Sequence, residues 1–175
     1  MYKRTHTCGE LRKSDIGKTV SLNGWVNSVR FHGQVVFIDL RDRYGRTQVV
    51  FDSEIFEGDF EEIKKLSMED VLSVKGQVRI RVNSAINSKI KTGNIEIVIL
   101  KYVMLNESAP LPFILSNRDK SEEDLRLKYR YLELRMEELQ NNIIVRHKAY
   151  QETRNFLSEN NFLEIETPIL MKSTP

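Results

Sequence analysis

The sequence predicts a mainly β protein with an α+β C-terminal part, in which a small five-stranded barrel precedes helices and one further strand. Two observations support this fold class. Up to residue 104, short segments alternate apolar and polar residues with a period of two, as half-buried strands do. From residue 121 onward, apolar residues recur at helical spacing instead, and a proline-containing stretch separates the two patterns.

The N-terminal part shows five segments with strand character. Val36, Ile38 and Leu40 share one face of such a segment, and the period of two sends Phe37 and Asp39 to the other face. The predicted strands are 19–30, 35–41, 46–52, 71–82 and 95–104, with a helix at 57–68. This order is the layout of an OB-fold barrel, which binds oligonucleotides on its strand 2–3 face and adjoining loops. Other small barrels also have five strands, so the pattern alone leaves them open.

Residues 105–120 hold two of the four prolines and interrupt every periodicity. We therefore expect a linker or hinge between a barrel domain, 1–104, and a second domain, 121–175. A helix is predicted near 121–137, opened by a capping box from Ser121 to Asp124.

A second helix is predicted near 139–160 and should end at the pair Asn160 and Asn161, because asparagine tolerates the left-handed conformation that terminates helices. An extended segment, 162–167, should follow. Pro168 bends it, since the residue before a proline is pushed towards the extended region.

The composition is that of a globular protein rather than a disordered or fibrous one, with 40% hydrophobic and 30% charged residues among 175. No apolar run approaches the roughly 20 residues that cross a bilayer, and the N-terminus has no signal-peptide core. A single cysteine, Cys8, fits a reducing compartment. We therefore expect a cytoplasmic protein with no membrane partner. Three scattered histidines and one cysteine also make a metal site unexpected.

Positive charge is concentrated in the first third of the chain. Residues 1–50 contain nine Lys and Arg against four Asp and Glu, although the net charge of the whole chain is only +2. Such an asymmetry favours a polyanionic partner, with a solvated basic face as the alternative.

Phe37 is the clearest candidate functional residue of the barrel. An aromatic side chain on the polar face of a barrel strand can stack on an unpaired base. The alternative is that it packs under a loop or against the second domain. Arg30 and Gln48 flank the same surface and could read a base edge, although either could equally be a solvated strand residue. Trp25 is expected in the core.

Several segments resemble one family. Gly24-Trp-Val-Asn27 and Phe37-Ile-Asp-Leu-Arg-Asp-Arg-Tyr-Gly-Arg-Thr-Gln48 resemble the anticodon-binding barrel of bacterial aspartyl-tRNA synthetases. Leu125-Arg-Leu-Lys-Tyr-Arg-Tyr-Leu-Glu-Leu-Arg135 resembles the opening of their catalytic region, and the segment that ends FLEIETPILMKSTP resembles motif 1 of class II synthetases. The segments occur in order and cover nearly the whole chain.

This resemblance implies an enzyme that activates aspartate with ATP and Mg²⁺ and transfers it to tRNA(Asp). It also implies a homodimer, with motif 1 at the interface and Pro168 at the dimer contact. In this family motifs 2 and 3, which hold ATP, follow the segment that ends this sequence. We therefore expect no catalytic residue among these 175 residues, no cofactor bound to them and no activity from this chain alone.

The resemblance places the family's anticodon contacts on Arg30, Phe37, Gln48 and Glu96. Phe37 would stack on a base, and the other three would hydrogen-bond base edges or the nearby backbone. An acid such as Glu96 on a basic surface fits an acceptor for a base donor; without the family pattern it reads as an ordinary surface glutamate.

Two positions depart from the commonest family pattern. Ser28 stands where members often have an arginine, which puts one RNA contact in doubt. His32 stands where members strict for tRNA(Asp) often have leucine, whereas members that also charge tRNA(Asn) often have histidine. The alternative for His32 is an incidental loop residue.

Two other readings remain at this point. Lysyl- and asparaginyl-tRNA synthetases share the barrel and motif 1, although the three segments quoted favour the aspartyl member. A non-enzymatic OB-fold protein that binds single strands would explain residues 1–104 but not 121–175.

Overall fold

The computed structural model describes residues 1–115, 121–170 and 172–173. The chain divides into two compact units, 1–111 and 112–175. Part of the predicted hinge, 116–120, and three positions near the end of the motif 1 segment lie outside the described residues.

The first unit is a closed five-stranded barrel, which confirms the predicted fold. Its strands follow the order β1-β2-β3-β5-β4 around the barrel. Neighbouring strands are antiparallel except β3 and β5, whose parallel pairing closes the barrel. The strands are β1 (Thr19–His32), β2 (Val35–Asp42), β3 (Gly45–Asp52), β4 (Val71–Ile80) and β5 (Ile95–Asn106).

The alternation along each strand builds the barrel core. In β2, Val36, Ile38 and Leu40 are at most 1% exposed, while the residues between them are half-buried. Leu22 from β1 and Ile97 from β5 reach the same apolar cluster. Inward and outward faces are thus set by the period-two pattern that the sequence displays.

The helix between β3 and β4 is shorter than predicted. α1 spans only Phe60–Ile63. The Asp59 carboxylate caps it by accepting a hydrogen bond from the Glu61 backbone amide. After Ile63 the chain continues in tighter turns, in which amides bond to carbonyls three residues back. These turns still place Leu66 in the core. The apolar residues thus recur at helical spacing although the α-helix ends at Ile63.

Trp25 was predicted in the core, and that prediction is wrong. The residue is half-buried on the outer face of β1, where the Arg41 guanidinium lies 5.7 Å from the centre of its ring. Its neighbour Val26 takes the inward position. Stacking between a cation and the indole ring accounts for the large side chain outside the core.

The N-terminal segment is fixed to the β2–β3 turn. The Cys8 amide donates to the Asp42 carboxylate at 2.9 Å, and the Thr47 hydroxyl donates to the Cys8 carbonyl at 2.6 Å. Gly9 lies so close that a Cβ there would be 2.1 Å from the Tyr44 carbonyl oxygen. Burial raises the pKa of the Cys8 thiol far above its ordinary value.

The described residues of the second unit form three α-helices: α2 (Glu123–Lys128), α3 (Arg130–Glu133) and α4 (Glu137–Glu159). The predicted first helix is broken at Tyr129, whose backbone leaves the helical region. The predicted capping box is also wrong, because the N-cap is Glu122 and makes no side-chain capping bond. The end of α4 is confirmed: Asn160 is its C-cap, and Asn161 has φ 67°.

Residues 162–170 form no strand, although the sequence predicts an extended segment at 162–167. Among the described residues, the second unit offers no other strand with which this segment could share a hydrogen-bond ladder. Its apolar side chains are exposed, including Leu163 at 86% and Ile169 at 96%. Within the described part of the chain, no helix has the length and apolar character to span a membrane.

Candidate nucleic-acid interface

Three of the predicted contact residues share the outer face of β1, β2 and β3. Arg30 lies opposite Phe37 across β1 and β2, and Gln48 lies opposite Asp39 across β2 and β3. Phe37 is half-buried and faces away from the core. The predicted orientation of Phe37 is thereby confirmed, while its stacking on a base stays a prediction.

Glu96 joins this face through barrel closure. The parallel pairing of Val49 with Ile97 brings the residues before them, Gln48 and Glu96, side by side. The Gln48 Nε2 donates to the Glu96 carboxylate at 2.7 Å. Residues separated by 48 positions in the sequence therefore form one hydrogen-bonded pair.

A continuous chain of hydrogen bonds runs across the interface. Arg30 Nη2 donates to Asp39 Oδ1 at 3.2 Å and to Gln48 Oε1 at 3.0 Å. Beyond Gln48, the other Glu96 oxygen accepts from Arg79 Nε at 2.7 Å. We call Asp39, Arg30, Gln48, Glu96 and Arg79 the cross-strand network. Both nitrogen and oxygen of the Gln48 amide are engaged, so its orientation is fixed.

Burial differs along the cross-strand network. The side chains of Arg30 and Arg79 are 57% and 44% exposed, whereas those of Asp39 and Glu96 are 19% and 8% exposed. The cations therefore face solvent above carboxylates that are largely withdrawn from it. Such an arrangement presents donors to an anionic or base-edge ligand and keeps the acids from meeting phosphate directly.

Glu96 has a more internal position than the sequence suggests. Each of its carboxylate oxygens already accepts a bond from a protein side chain, one from Gln48 and one from Arg79. A carboxylate oxygen can accept more than one bond, so a base donor is still permitted. The geometry nevertheless gives Glu96 a second task, which is to orient its two neighbours.

Arg81 is a further residue that the sequence did not single out. The strand pattern placed it on the outer face, yet it is 4% exposed and lies just beyond β4. Its Nε donates to the Ile95 carbonyl at 2.9 Å, and its amide donates to the Asn94 carbonyl at 3.0 Å. Burial lowers its pKa, although the nearby Glu96 opposes that shift. Arg81 thus closes the neck of the β4–β5 loop beside the interface.

The remaining predicted residues lie elsewhere. His32 is exposed at the end of β1, next to the interface. Ser28 donates its hydroxyl to Asp39 Oδ2 at 3.1 Å and so supports the cross-strand network from below. Pro168 is exposed in the second unit, and its role at a dimer contact stays a prediction.

The described part of the chain has no group of side chains that could hold a metal ion. Among residues 1–115, 121–170 and 172–173, no three His, Cys, Asp or Glu side chains group as ligands. No reaction step through Mg²⁺ or ATP is therefore assigned to these residues.

Two family models match the chain. The model described as OB-fold nucleic acid binding domain matches residues 20–105. The model described as tRNA synthetases class II (D, K and N) matches residues 122–175.

Curated proteins and solved structures give the same assignment. An aspartate–tRNA(Asp/Asn) ligase of Endomicrobium trichonymphae is 52% identical over 173 residues, which are 99% of this chain and 30% of that protein. The aspartyl-tRNA synthetase of Entamoeba histolytica has a TM-score of 0.85 at 25% identity, covering 97% of this chain and 40% of its own. The asparaginyl-tRNA synthetase of Pyrococcus horikoshii has a TM-score of 0.82 at 26% identity, covering 97% and 37%.

The chain thus spans about a third or less of the length of the curated relatives it matches. Barrel, interface and second unit all correspond to the N-terminal part of those relatives. Curated relatives of this chain are aspartate–tRNA(Asp/Asn) ligases at about 50% identity, and the chain is homologous to the N-terminal part of these class II synthetases.

Proposed function

We propose that the barrel of this chain reads the anticodon of tRNA(Asp). The observation that carries the proposal is the meeting of Arg30, Gln48 and Glu96 in one hydrogen-bonded network beside Phe37. Barrel stability does not require a half-buried aromatic ring on the outer face next to a row of oriented polar groups. An unpaired RNA loop, in contrast, needs both a stacking platform and fixed donors and acceptors.

Each residue has a distinct part in this proposal. Phe37 stacks on a base, contributing roughly 1–3 kcal/mol. Arg30 donates to a base edge or phosphate, and Gln48 presents an amide whose orientation is fixed by its neighbours. Glu96 accepts from a base donor and holds Gln48 and Arg79 in place.

We further propose the family's reaction for the whole protein: ATP, L-aspartate and tRNA(Asp) give AMP, diphosphate and aspartyl-tRNA. ATP and Mg²⁺ would serve that reaction, and we assign no catalytic residue to the 175 residues described by this sequence. Assembly as a homodimer through the segment around Pro168, in the cytoplasm, belongs to the same proposal. Homology to the N-terminal part of these ligases supports it.

A second tRNA is also proposed. The relatives from Endomicrobium trichonymphae and Caldanaerobacter subterraneus are named as ligases for tRNA(Asp/Asn). His32 lies beside the interface at the end of β1, and in this proposal it contacts the anticodon base that distinguishes the two tRNAs. We expect His32→Leu to lower affinity for an asparagine-anticodon hairpin more than for an aspartate-anticodon hairpin, measured by titration. An equal effect on both hairpins would contradict this role.

The test of anticodon reading is a titration of the chain with RNA hairpins that carry aspartate or unrelated anticodons. Wild type should prefer the aspartate hairpin, and Phe37→Ala should weaken that binding about fivefold or more because the stacking contribution is lost. Phe156→Ala is the matched control, since Phe156 is 65% exposed and lies in the second unit. Lys91→Ala should weaken all hairpins alike, because its charge acts on the backbone.

Two outcomes would overturn the proposal. Equal affinity of wild type for all hairpins would identify a barrel that binds single strands without reading an anticodon. A loss in Phe37→Ala no larger than in Phe156→Ala would remove the stacking platform from the interface.

A further inference from the structure

Asp39 is an acid in the middle of the surface that should receive RNA. Its side chain is 19% exposed, and it lies on the outer face of β2 between Ser28 and Gln48 on the neighbouring strands. An acid here repels phosphate, so its presence lowers the general affinity of the surface for RNA. The hydrogen bonds of its two carboxylate oxygens indicate a role that offsets this loss of affinity.

Both Asp39 oxygens hold neighbours. Oδ1 accepts from Arg30 Nη2 at 3.2 Å, and Oδ2 accepts from the Ser28 hydroxyl at 3.1 Å. Ser28 thereby fixes the carboxylate, and the carboxylate holds one end of the Arg30 guanidinium. The same Nη2 also donates to Gln48 Oε1 at 3.0 Å, so the guanidinium is held from two strands.

This restraint matters because arginine is otherwise mobile. A guanidinium has five donors in a rigid fork on a long flexible stem, and a free one swings to any nearby phosphate. Among the described residues both bonds of Arg30 use Nη2, which leaves the Nε and Nη1 donors without a protein partner. Arg30 lies opposite Phe37 on the neighbouring strand, so a base stacked on that ring would lie beside the guanidinium.

We infer that Asp39 is a positioning residue that gives up general RNA affinity for selectivity between anticodons. It acts through Arg30, holding the guanidinium for a base edge on Phe37 and away from passing phosphates. This inference rests on the proposed function, since selectivity has meaning only if the barrel reads an anticodon.

The experiment compares two hairpins against the full 175-residue chain, one with the aspartate anticodon and one with an unrelated anticodon. Asp39→Asn keeps the shape of the side chain and removes its charge. We expect affinity for the unrelated hairpin to rise and affinity for the aspartate hairpin to fall. The ratio of the two should drop about fivefold or more, as for loss of a charged hydrogen bond.

Glu54→Gln is the matched control for charge alone. Glu54 is exposed two residues beyond β3 and belongs to no bond of the cross-strand network. Its substitution should raise affinity for both hairpins by the same factor and leave their ratio unchanged. Ser28→Ala removes the support of Asp39 without changing charge, and should lower the ratio less than Asp39→Asn does.

A double substitution separates positioning from a structural role. In an Arg30→Ala background, Asp39→Asn should leave the hairpin ratio unchanged, because Asp39 acts through Arg30. A further fall of the ratio in that background would overturn the inference. Equal weakening of both hairpins by Asp39→Asn, together with a lower Tm, would also overturn it. If wild type itself shows no preference, the proposed function fails instead, and the two failures are distinguished.

Discussion

The two units of this chain differ in where they keep their apolar side chains. In the barrel, Phe51, Leu22 and Ile97 are at most 1% exposed and belong to one cluster. In the second unit, Leu163 and Leu170 are 86% and 93% exposed. The barrel therefore closes on itself, whereas the described part of the second unit presents apolar surface that needs cover.

The second unit combines a few buried apolar residues, such as Leu132 and Met136, with an ion triad centred on a buried carboxylate. Glu133 is 1% exposed and accepts from Arg126 at 2.9 Å and from Arg130. This ion triad ties α2 to α3 across the break at Tyr129. A paired carboxylate can fix the geometry of two short helices, but it contributes little apolar burial. The comparison teaches that local elements form readily, while a closed core requires all its strands.

The largest expected effect is a difference in the free energy of unfolding when the same substitution, leucine to alanine, is made in each unit. Leu72→Ala in β4, at 0% exposure, should lower the free energy of unfolding by about 2–5 kcal/mol, because it leaves a cavity. Leu157→Ala in α4, at 40% exposure, should change it by less than about 0.5 kcal/mol. In urea denaturation, the fluorescence of Trp25, the only tryptophan, measures the barrel, and far-ultraviolet circular dichroism measures the helices of the second unit. A similar loss of unfolding free energy at both positions would show that the two units do not differ in apolar packing.

A smaller effect is expected at Gly76. A Cβ there would be 2.1 Å from the Val98 carbonyl oxygen, a backbone atom that β4–β5 pairing holds in place. Gly76→Ala should therefore destabilise the barrel by roughly 1–3 kcal/mol. Lys75→Ala, on the exposed neighbouring position, is the control and should be nearly neutral. Equal midpoints for the two variants in the same urea titration would show that β5 shifts to make room.

The exposed apolar surface of the second unit should drive self-association of the chain. We expect the mass from light scattering to rise with concentration, and Leu163→Asp to suppress that rise. Val82→Asp is the control, because Val82 is 70% exposed in the barrel unit and should leave the rise unchanged. A monomer at all concentrations, in wild type, would contradict the expectation.

The smallest effect concerns a surface carboxylate beside the barrel. Bonds from the Lys18 ammonium and the Arg12 amide lower the pKa of Asp15. A lowered folded-state pKa means that the stabilisation is present above the unfolded pKa of about 3.9 and is lost as pH falls through the folded value. Asp15→Asn should therefore reduce the urea midpoint slightly at neutral pH and not in strong acid. A difference that persists in acid would point to lost packing rather than lost charge.

From the sequence, the orientation of strand side chains was easier to predict than their hydrogen-bond partners on other strands. The alternation in β2 correctly turned Phe37 and Asp39 outwards, because the period of two needs no knowledge of neighbouring strands. It could not reveal that Gln48 bonds to Glu96, since that contact depends on parallel closure of β3 and β5. The strand pattern had already indicated Gln48, the resemblance alone supplied Glu96, and Arg79 was missed as a site residue.

Other failures have equally physical causes. Trp25 lies outside the core because Arg41 stacks on its ring, an interaction that size and hydrophobicity alone do not indicate. The helix predicted at 57–68 shrank to Phe60–Ile63 because tighter turns satisfy the same apolar spacing. The strand predicted at 162–167 lacks a partner among the described residues of its unit.

Closure of the barrel by β3 and β5 also sets an order of events during synthesis. Gln48 leaves the ribosome well before Glu96, and the bond between them joins residues 48 positions apart. Pairing β3 with β5, which lie far apart in the sequence, is slow compared with the formation of a local hairpin such as β2–β3. A nascent chain therefore carries Phe37 and Arg30 for some time before the candidate interface is complete. Translation beyond β5 is the step that brings Glu96 and Arg79 to the hairpin and completes the cross-strand network.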